Sequence, residues 1–251
     1  MLRMRGNRLT WVGHATFRIT TPSGQVVFID PWLEGNPACP TELKKPDRVD
    51  TMLITHGHRD HFDDVLPLAK QFQPEIVAII ETGAWLKSKG CTKVNAMNKG
   101  GTVKVGDIEA TMVNAVHSNG IDDDRNIVYG GDPAAFVVKL PGGMTIYHAG
   151  DTAVFGDMKT VIHDFHKANL AVINLGPNPG MFQSGAYAIN DLLKPASVIF
   201  THVNEAATEG GKLKPNTQTA ALMKQVKAPA YLAISERTME FNDKGKCVSG
   251  C

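Results

Sequence analysis

The stretch that decides the fold is His56-Gly57-His58-Arg59-Asp60-His61, at which the apolar run that starts at Met52 ends. Three imidazoles and one carboxylate within six residues are ligand types that zinc, manganese and iron accept. Gly57 permits a tight turn in which His56 and His58 face one ion. The remaining aspartate and histidine fall where a helix would begin. Burying four such groups without a ligand would be costly, so the stretch predicts a metal site.

Four other apolar runs also end on an aspartate or a histidine: Asp30, His117, Asp151 and His202. Sites in open α/β sheets gather outside the carboxyl ends of strands, so side chains that follow different strands can converge. Two ions about 3.5–4 Å apart need a shared carboxylate. Asp151 comes from a different strand than the cluster, and we expect it to be that bridge.

Apolar runs and helix-like stretches alternate along the whole chain. Strands come first and are then interleaved with helices, which predicts sheets packed together with helices outside them, an α/β or α+β sandwich. Predicted strands are 9–19, 26–29, 51–54, 76–80, 108–116, 135–140, 145–147, 170–174, 197–200, 231–234 and 238–241, and predicted helices are 62–72, 83–89, 158–168, 184–193 and 217–226. Residues 118–133 form the longest polar loop, and no linker divides the chain. We therefore expect residues 1–251 to form one domain.

Composition is that of an ordinary soluble protein, with 43% hydrophobic and 20% charged residues and a formal net charge of +1. This balance predicts no general attraction to nucleic acid or anionic membranes. No apolar stretch approaches the roughly 20 residues of a membrane span. The charged N-terminus is unlike a signal peptide, so we expect a cytoplasmic protein. Reduced thiols are then the simpler interpretation of the four cysteines, Cys39, Cys91, Cys247 and Cys251.

The ordered set of motifs resembles the metallo-β-lactamase superfamily, whose HxHxDH signature residues 56–61 match. The resemblance implies a four-layer αββα sandwich with the site along one sheet edge. It also implies one ion on His56, His58 and His117, a second on Asp60, His61 and His202, and Asp151 between them.

Two further segments are similar to one branch of that superfamily. Residues 11–17 (WVGHATF) and 146–152 (IYHAGDT) resemble the branch that contains L-ascorbate-6-phosphate lactonase and uncharacterised predicted metal-dependent hydrolases. The resemblance implies a hydrolase in which a metal-bridged hydroxide attacks a small ester-like substrate, a lactone or a phosphoester. Zinc is the ion that we expect at both positions, with manganese, nickel or iron as alternatives.

Several residues receive more specific roles. Asp60 and His202 are expected to act in catalysis as well as in metal binding. Asp30 is expected to hold a ligand histidine, with a turn residue before Pro31 as the alternative. His14 and His148 are interpreted as contacts to the ligands or to substrate, with buried core histidines as the alternative. Asn178 and Asn204 are loop candidates for substrate binding.

Other functions stay open at this stage. Within hydrolysis the alternatives are a phosphodiesterase acting on a cyclic nucleotide or a lipid head group, and a β-lactamase-like activity. Outside it, the same ligands could hold a di-iron centre of a redox or binding protein. A structural zinc site is disfavoured because such sites have four closed ligands, often cysteines. The expected partner is a small-molecule substrate, and a homo-oligomer is possible.

Overall fold

The structure is a computed structural model that describes residues 6–174, 184–203, 207–209, 212–234 and 237–251. The strands are β1 (Asn7–Gly13), β2 (Thr16–Thr20), β3 (Val26–Ile29), β4 (Thr51–Leu53), β5 (Glu75–Ile79), β6 (Val94–Met97), β7 (Thr102–Val105), β8 (Ile108–Asn114), β9 (Gly120–Asp123), β10 (Asn126–Tyr129), β11 (Ala134–Lys139), β12 (Thr145–His148), β13 (Leu170–Asn174), β14 (Ser197–Thr201), β15 (Thr208–Glu209), β16 (Lys212–Leu213), β17 (Ala230–Leu232), β18 (Thr238–Phe241) and β19 (Cys247–Ser249). The helices are α1 (Arg59–Phe62), α2 (Val65–Phe72) and α3 (Ile80–Ser88), followed by Met158–Phe165, Ala188–Leu193 and Gln218–Met223, with one short helical turn at Thr41–Leu43.

Most strands belong to two large sheets. One has the order β19-β18-β1-β2-β3-β4-β5-β6, and the other has the order β17-β14-β13-β12-β11-β8-β7. Strands β3 to β6 run parallel in the first sheet, as do β12, β13, β14 and β17 in the second. The other neighbours in these sheets are antiparallel. Carboxyl ends of parallel strands meet at one edge, so each sheet offers a row of loops there.

The sheets pack face to face around a shared apolar core. Leu53 of the first sheet and Phe136 of the second belong to one buried cluster between them. Neighbouring strand residues point to opposite faces, so Met52 instead packs outward with residues of α2. Tyr147 packs on the outer face of the second sheet with Met158 and its helix. Helices thus cover both outer faces, and the αββα sandwich is confirmed.

The predicted strand 9–19 is wrong in one respect, because it is a hairpin of β1 and β2. The chain reverses at Gly13 and His14, whose φ angles are +117° and +52°. A Cβ at Gly13 would lie 2.7 Å from the backbone of Ala38, so this position accepts glycine only. This turn brings His14 to the edge where the predicted ligands lie.

Two further local predictions need correction. The helix predicted at 62–72 begins at Arg59 and is interrupted before α2, where the Asp64 carboxylate accepts hydrogen bonds from the amides of Leu33 and Glu34 at 2.5 and 3.1 Å. The polar segment 118–133 is not a plain loop, since β9 and β10 form a hairpin within it. Ile121 of that hairpin is buried against the first sheet's outer cluster.

The cysteines depart from the expectation of four reduced thiols. Cys247 and Cys251 are joined by a disulfide, while Cys39 and Cys91 are free. Burial raises the pKa of the Cys39 thiol to about 11, which keeps it protonated at neutral pH. Among the helices of the described residues, none has the length and apolar character needed to cross a membrane.

Candidate metal centre

The predicted ligands converge where the two sheets meet. His56 and the rest of the motif follow β4 of the first sheet, whereas His117, Asp151 and His202 follow β8, β12 and β14 of the second. Their donor atoms form groups within 4.8 Å of one another. Ligands separated by much of the chain therefore share one edge, as strand-end geometry predicts.

The first cluster is formed by His56, His58 and His117. His58 Nδ1 lies 3.1 Å from His56 Nε2 and 3.3 Å from His117 Nε2. Asp151 Oδ2 is 3.7 Å from His117 Nε2. Nitrogen donors of one tetrahedral zinc ion, each about 2.0–2.1 Å from it, lie roughly 3.3 Å apart. The spacing therefore fits a single small divalent ion.

The second cluster is formed by Asp60, His61 and His202. The Nε2 atoms of His61 and His202 lie 3.2 Å apart. Each is 3.3 Å from Asp151 Oδ1 and 3.8 Å from Asp60 Oδ2. Two nitrogens and two carboxylate oxygens thus surround a second position of the same size.

Asp151 lies between the clusters with one oxygen toward each. Oδ1 faces His61 and His202, and Oδ2 faces His117. Asn174, at the end of β13, donates a hydrogen bond from Nδ2 to Oδ1 at 2.5 Å. This bond fixes the rotation of the carboxylate, and with it the separation of the two clusters.

Asp30 and Thr55 determine which nitrogens face the two clusters. His61 donates from Nδ1 to Asp30 Oδ2 at 2.9 Å, and Thr55 Oγ1 donates to the same oxygen at 2.6 Å. Thr55 Oγ1 also lies 3.0 Å from His56 Nδ1, from which it accepts a hydrogen bond in this arrangement. With both Nδ1 atoms protonated, the Nε2 lone pairs of His56 and His61 point into the clusters.

The turn at Gly57, between His56 and His58, is held in place by residues that precede and form the β9–β10 hairpin. Asn119 Oδ1 accepts a hydrogen bond from the Gly57 amide at 2.7 Å, and a Cβ at Gly57 would collide with the side chain of Ile121. Ser118 Oγ lies 3.2 Å from His58 Nε2, so His58 presents Nδ1 to the cluster. The β9–β10 hairpin therefore packs directly on the turn that joins His56 and His58.

Most of these groups are held in the deprotonated form that metal binding needs. Burial and the neighbouring His61 lower the pKa of His56 well below its usual range, and burial with the neighbouring His117 lowers that of His58. Burial opposes ionisation of Asp151, yet His61 and His202 outweigh it and lower its pKa. Neutral imidazoles and an ionised carboxylate are the forms that bind metal ions.

His61 is the exception in the absence of an ion. Its burial opposes protonation, but the carboxylates of Asp151 and Asp30 outweigh that effect and raise its pKa. Without an ion, His61 thus carries a positive charge at this fully buried position. A cation bound in the second cluster would take the place of that charge. The donor set, rich in imidazole with two carboxylates, is one that zinc accepts.

The other predicted site residues differ in their placement. Asp30 contacts His61, one of the predicted ligands, and His14 contacts Asp60 through Nε2 at 2.8 Å. His148 is buried beside Phe17, and its Nδ1 accepts from the Gly150 amide at 3.3 Å rather than contacting a ligand side chain. The substrate candidates Asn178 and Asn204 lie outside the described residues.

Sequence reasoning missed Thr55, Asn174, Ser118 and Asn119. Asn174 ends an apolar run just as the predicted ligands do, so the strand-end pattern could have identified it. Thr55 directly precedes the cluster, but its contact with Asp30 depends on the pairing of β3 with β4. Ser118 and Asn119 carried no signal beyond their proximity to His117.

Comparison with known proteins agrees with this architecture. A family model described as "Beta-lactamase superfamily domain" matches residues 25–203. A UPF0173 metal-dependent hydrolase from Koribacter versatilis is 47% identical over 209 residues, covering 83% of this chain and 89% of that protein. One from Solibacter usitatus is 50% identical over 194 residues, covering 77% and 84%.

Among solved structures, Igni18, described as a novel metallo hydrolase from the archaeon Ignicoccus hospitalis, has a TM-score of 0.73 and 26% identity. The match covers 94% of this chain and 99% of Igni18. Sequence relatives and fold thus agree, and the chain belongs to the UPF0173 metal-dependent hydrolases of the β-lactamase superfamily.

Proposed function

We propose that this protein is a hydrolase with a two-ion centre that acts on a small ester-like substrate, a lactone or a phosphoester. The observation that carries the proposal is the Asp151 carboxylate, whose two oxygens face two separate sets of ligand atoms. A shared carboxylate between two closely spaced positions is typical of binuclear hydrolytic centres. The imidazole-rich donor set supports zinc at both positions.

His56, His58 and His117 would hold one ion, Asp60, His61 and His202 the other, and Asp151 both. Bound there, the ions would supply a water of lowered pKa and a Lewis acid for the group under attack. Asp30 and Thr55 keep two of the histidines in the tautomer that this binding needs. No serine or cysteine nucleophile is required.

Asp60 is the proposed ligand best placed to orient the attacking water. Its side chain is 38% exposed, far more than His61 or His202, so it lies on the substrate side of the second cluster. Burial opposes its ionisation, but hydrogen bonds with His14 and His202 outweigh that effect and lower its pKa. An ionised carboxylate at this position can accept a hydrogen bond from the attacking water and orient it. His202, which lies beside Asp60 in the second cluster, is proposed to act in catalysis by helping to hold the same ion.

The ester-like substrate is supported by the resemblance of residues 11–17 and 146–152 to the lactonase branch. We also propose that residues 1–251 act as one domain and that the protein works in the cytoplasm on a small molecule. A homo-oligomer stays a prediction.

Metal analysis and a substrate panel test the proposal. Protein purified without added ions should carry close to two ions per chain, and after chelation its activity should return with zinc. Lactones, phosphodiesters, phosphomonoesters and β-lactams should be tested with zinc, manganese and iron in parallel. Hydrolysis of a lactone or phosphoester that depends on a second ion is the expected result. One ion per chain at full activity would contradict it, as would turnover that requires iron and an electron donor.

A further inference from the structure

The turn between β1 and β2 holds a histidine in an unusual backbone conformation. His14 has a φ of +52°, in the left-handed region that non-glycine residues rarely adopt. Such conformations persist only where surrounding contacts enforce them, and they concentrate at functional sites. The conformation of His14 therefore indicates that the turn positions a group with a function.

The backbone of His14 is held on two sides. Its carbonyl oxygen accepts a hydrogen bond from Trp11 Nε1 at 2.7 Å and another from the His202 amide at 3.2 Å. The neighbouring Gly13 packs against the backbone of Ala38. The turn is thus fixed in place, and the direction of the His14 side chain follows from it.

The side chain reaches the second cluster and contacts two of its members. His14 Nε2 lies 2.8 Å from Asp60 Oδ2, and its ring centroid is 3.9 Å from that of His202. An ionised carboxylate only accepts hydrogen bonds, so His14 Nε2 must donate. The oxygen that receives this bond is the one that faces His61 and His202.

The 2.8 Å distance between His14 Nε2 and Asp60 Oδ2 fits a hydrogen bond better than ligation of one ion by both groups. Two ligands of one tetrahedral ion lie roughly 3.3 Å apart, and 2.8 Å is the usual length of a charge-assisted N–H···O bond. The side chain of His14 is 26% exposed and has a polar partner. A buried core histidine, the other interpretation from sequence, does not describe it.

We propose that His14 is a positioning residue for the second ion: its Nε2–H orients Asp60 and its carbonyl oxygen anchors His202. This inference rests on the two-ion function proposed above. His14 has no contact of this kind with His56, His58 or His117 among the described residues. Its loss should therefore weaken the second position and leave the first one intact.

The substitution H14N provides the sharpest test. Asparagine tolerates the left-handed region better than histidine, so the turn should be kept, but its amide is too short to reach Asp60. Partners of metal ligands contribute about 10–100-fold to metal affinity. We expect H14N to bind the second ion about 10–100-fold more weakly. The variant H14Q, whose amide nitrogen can replace Nε2, should recover most of that loss.

The measurement is a titration of the chelator-treated full-length protein with Co²⁺, followed by its visible spectrum and by calorimetry. His163→Asn is the matched control, because His163 lies on the helix Met158–Phe165, outside the site. Thermal unfolding of each metal-free variant shows whether the fold is intact.

The outcomes separate the two proposals. If the wild type binds fewer than two ions, the proposed two-ion function fails. If the wild type binds two ions and H14N binds both with unchanged affinity, the role of His14 is refuted. Loss of both ions together in a folded H14N, or a loss in H14Q as large as in H14N, would also refute it.

Discussion

The backbone amide of His202 donates a 3.2 Å hydrogen bond to the carbonyl oxygen of His14, and both residues have positive φ angles. His14 follows a strand of the eight-stranded sheet, and His202 follows a strand of the seven-stranded sheet. The bond therefore joins the two sheets at the edge that carries the predicted metal ligands. Packing of the sandwich and geometry of the second cluster depend on the same contact.

Replacing Asp151 by asparagine should abolish the two-ion centre. The amide keeps the size of the side chain but presents an N–H donor to one of the two clusters, which repels a cation there. Loss of a side chain that only contacts a metal ligand lowers metal affinity or activity about 10–100-fold. Asp151 is itself a proposed ligand, so we expect activity to fall by more than about 100-fold. Metal content per chain, measured beside activity and circular dichroism, checks this. A folded D151N protein that retains two ions and full turnover would refute the bridging role.

Replacing Thr55 by valine should disturb both clusters at once. The substitution removes the hydroxyl that donates to Asp30 Oδ2 and accepts from His56 Nδ1. Asp30 Oδ2 keeps the hydrogen bond from His61, but the buried His56 Nδ1 loses this partner at a cost of about 1–3 kcal/mol. We expect a lower unfolding temperature and weaker metal binding. T55S restores the hydroxyl and is the control. Equal metal affinity in T55V and T55S would show that the hydroxyl does not orient the ligands.

Replacing Asn174 by aspartate should weaken metal binding at Asp151 without changing the size of the side chain at position 174. The Nδ2 donor to Asp151 Oδ1 is lost, and a second carboxylate beside the first raises the pKa of Asp151 by like-charge repulsion. We expect metal affinity to fall by roughly 10–100-fold and to fall further as the pH is lowered. Metal titrations at pH 8 and pH 6, compared with the wild type, measure this. An unchanged affinity at both pH values would contradict the role assigned to Asn174.

The metal-free protein should lose stability in mild acid, in part through His148. Burial lowers the pKa of His148 to about 4 in the folded state, whereas the unfolded chain has a value of about 6.5. Between these two pKa values the unfolded state binds more protons at His148 than the folded state does. The stability that the neutral His148 contributes is therefore fully present above about pH 6.5 and is lost as the pH falls toward about 4. The contribution of this one group is roughly 3 kcal/mol at most.

Urea unfolding of metal-free wild type and His148→Asn at pH 7.5 and pH 4.5 isolates that contribution. The other buried histidines titrate in both proteins, so the difference between the two pH slopes reports His148 alone. The variant should lose less stability on acidification than the wild type. Identical slopes would show that His148 is not buried in its neutral form.

Much of the candidate site could be predicted because its residues are marked by local patterns. The motif at residues 56–61 combines ligand types in a spacing that a structural role rarely needs, and Asp151 and His202 each end an apolar run. Strand and helix periodicity predicted an α/β or α+β sandwich, and the resemblance of the ordered motifs to the metallo-β-lactamase superfamily implied its four-layer αββα form. The hairpin at residues 118–133 was missed because its strands are short and polar, with Ile127 and Tyr129 exposed.

The sequence by itself determined the set of candidate ligands, their order along the chain and the strand ends that carry them, because short-range periodicity and residue chemistry encode these features. Only the tertiary structure decided which oxygen of Asp151 faces which cluster, that Asn174 contacts Asp151 and Thr55 contacts Asp30, and that His14 donates to Asp60. These contacts join residues from different strands and from both sheets. Their distances depend on strand register and on the packing of one sheet against the other, which no local stretch of sequence specifies.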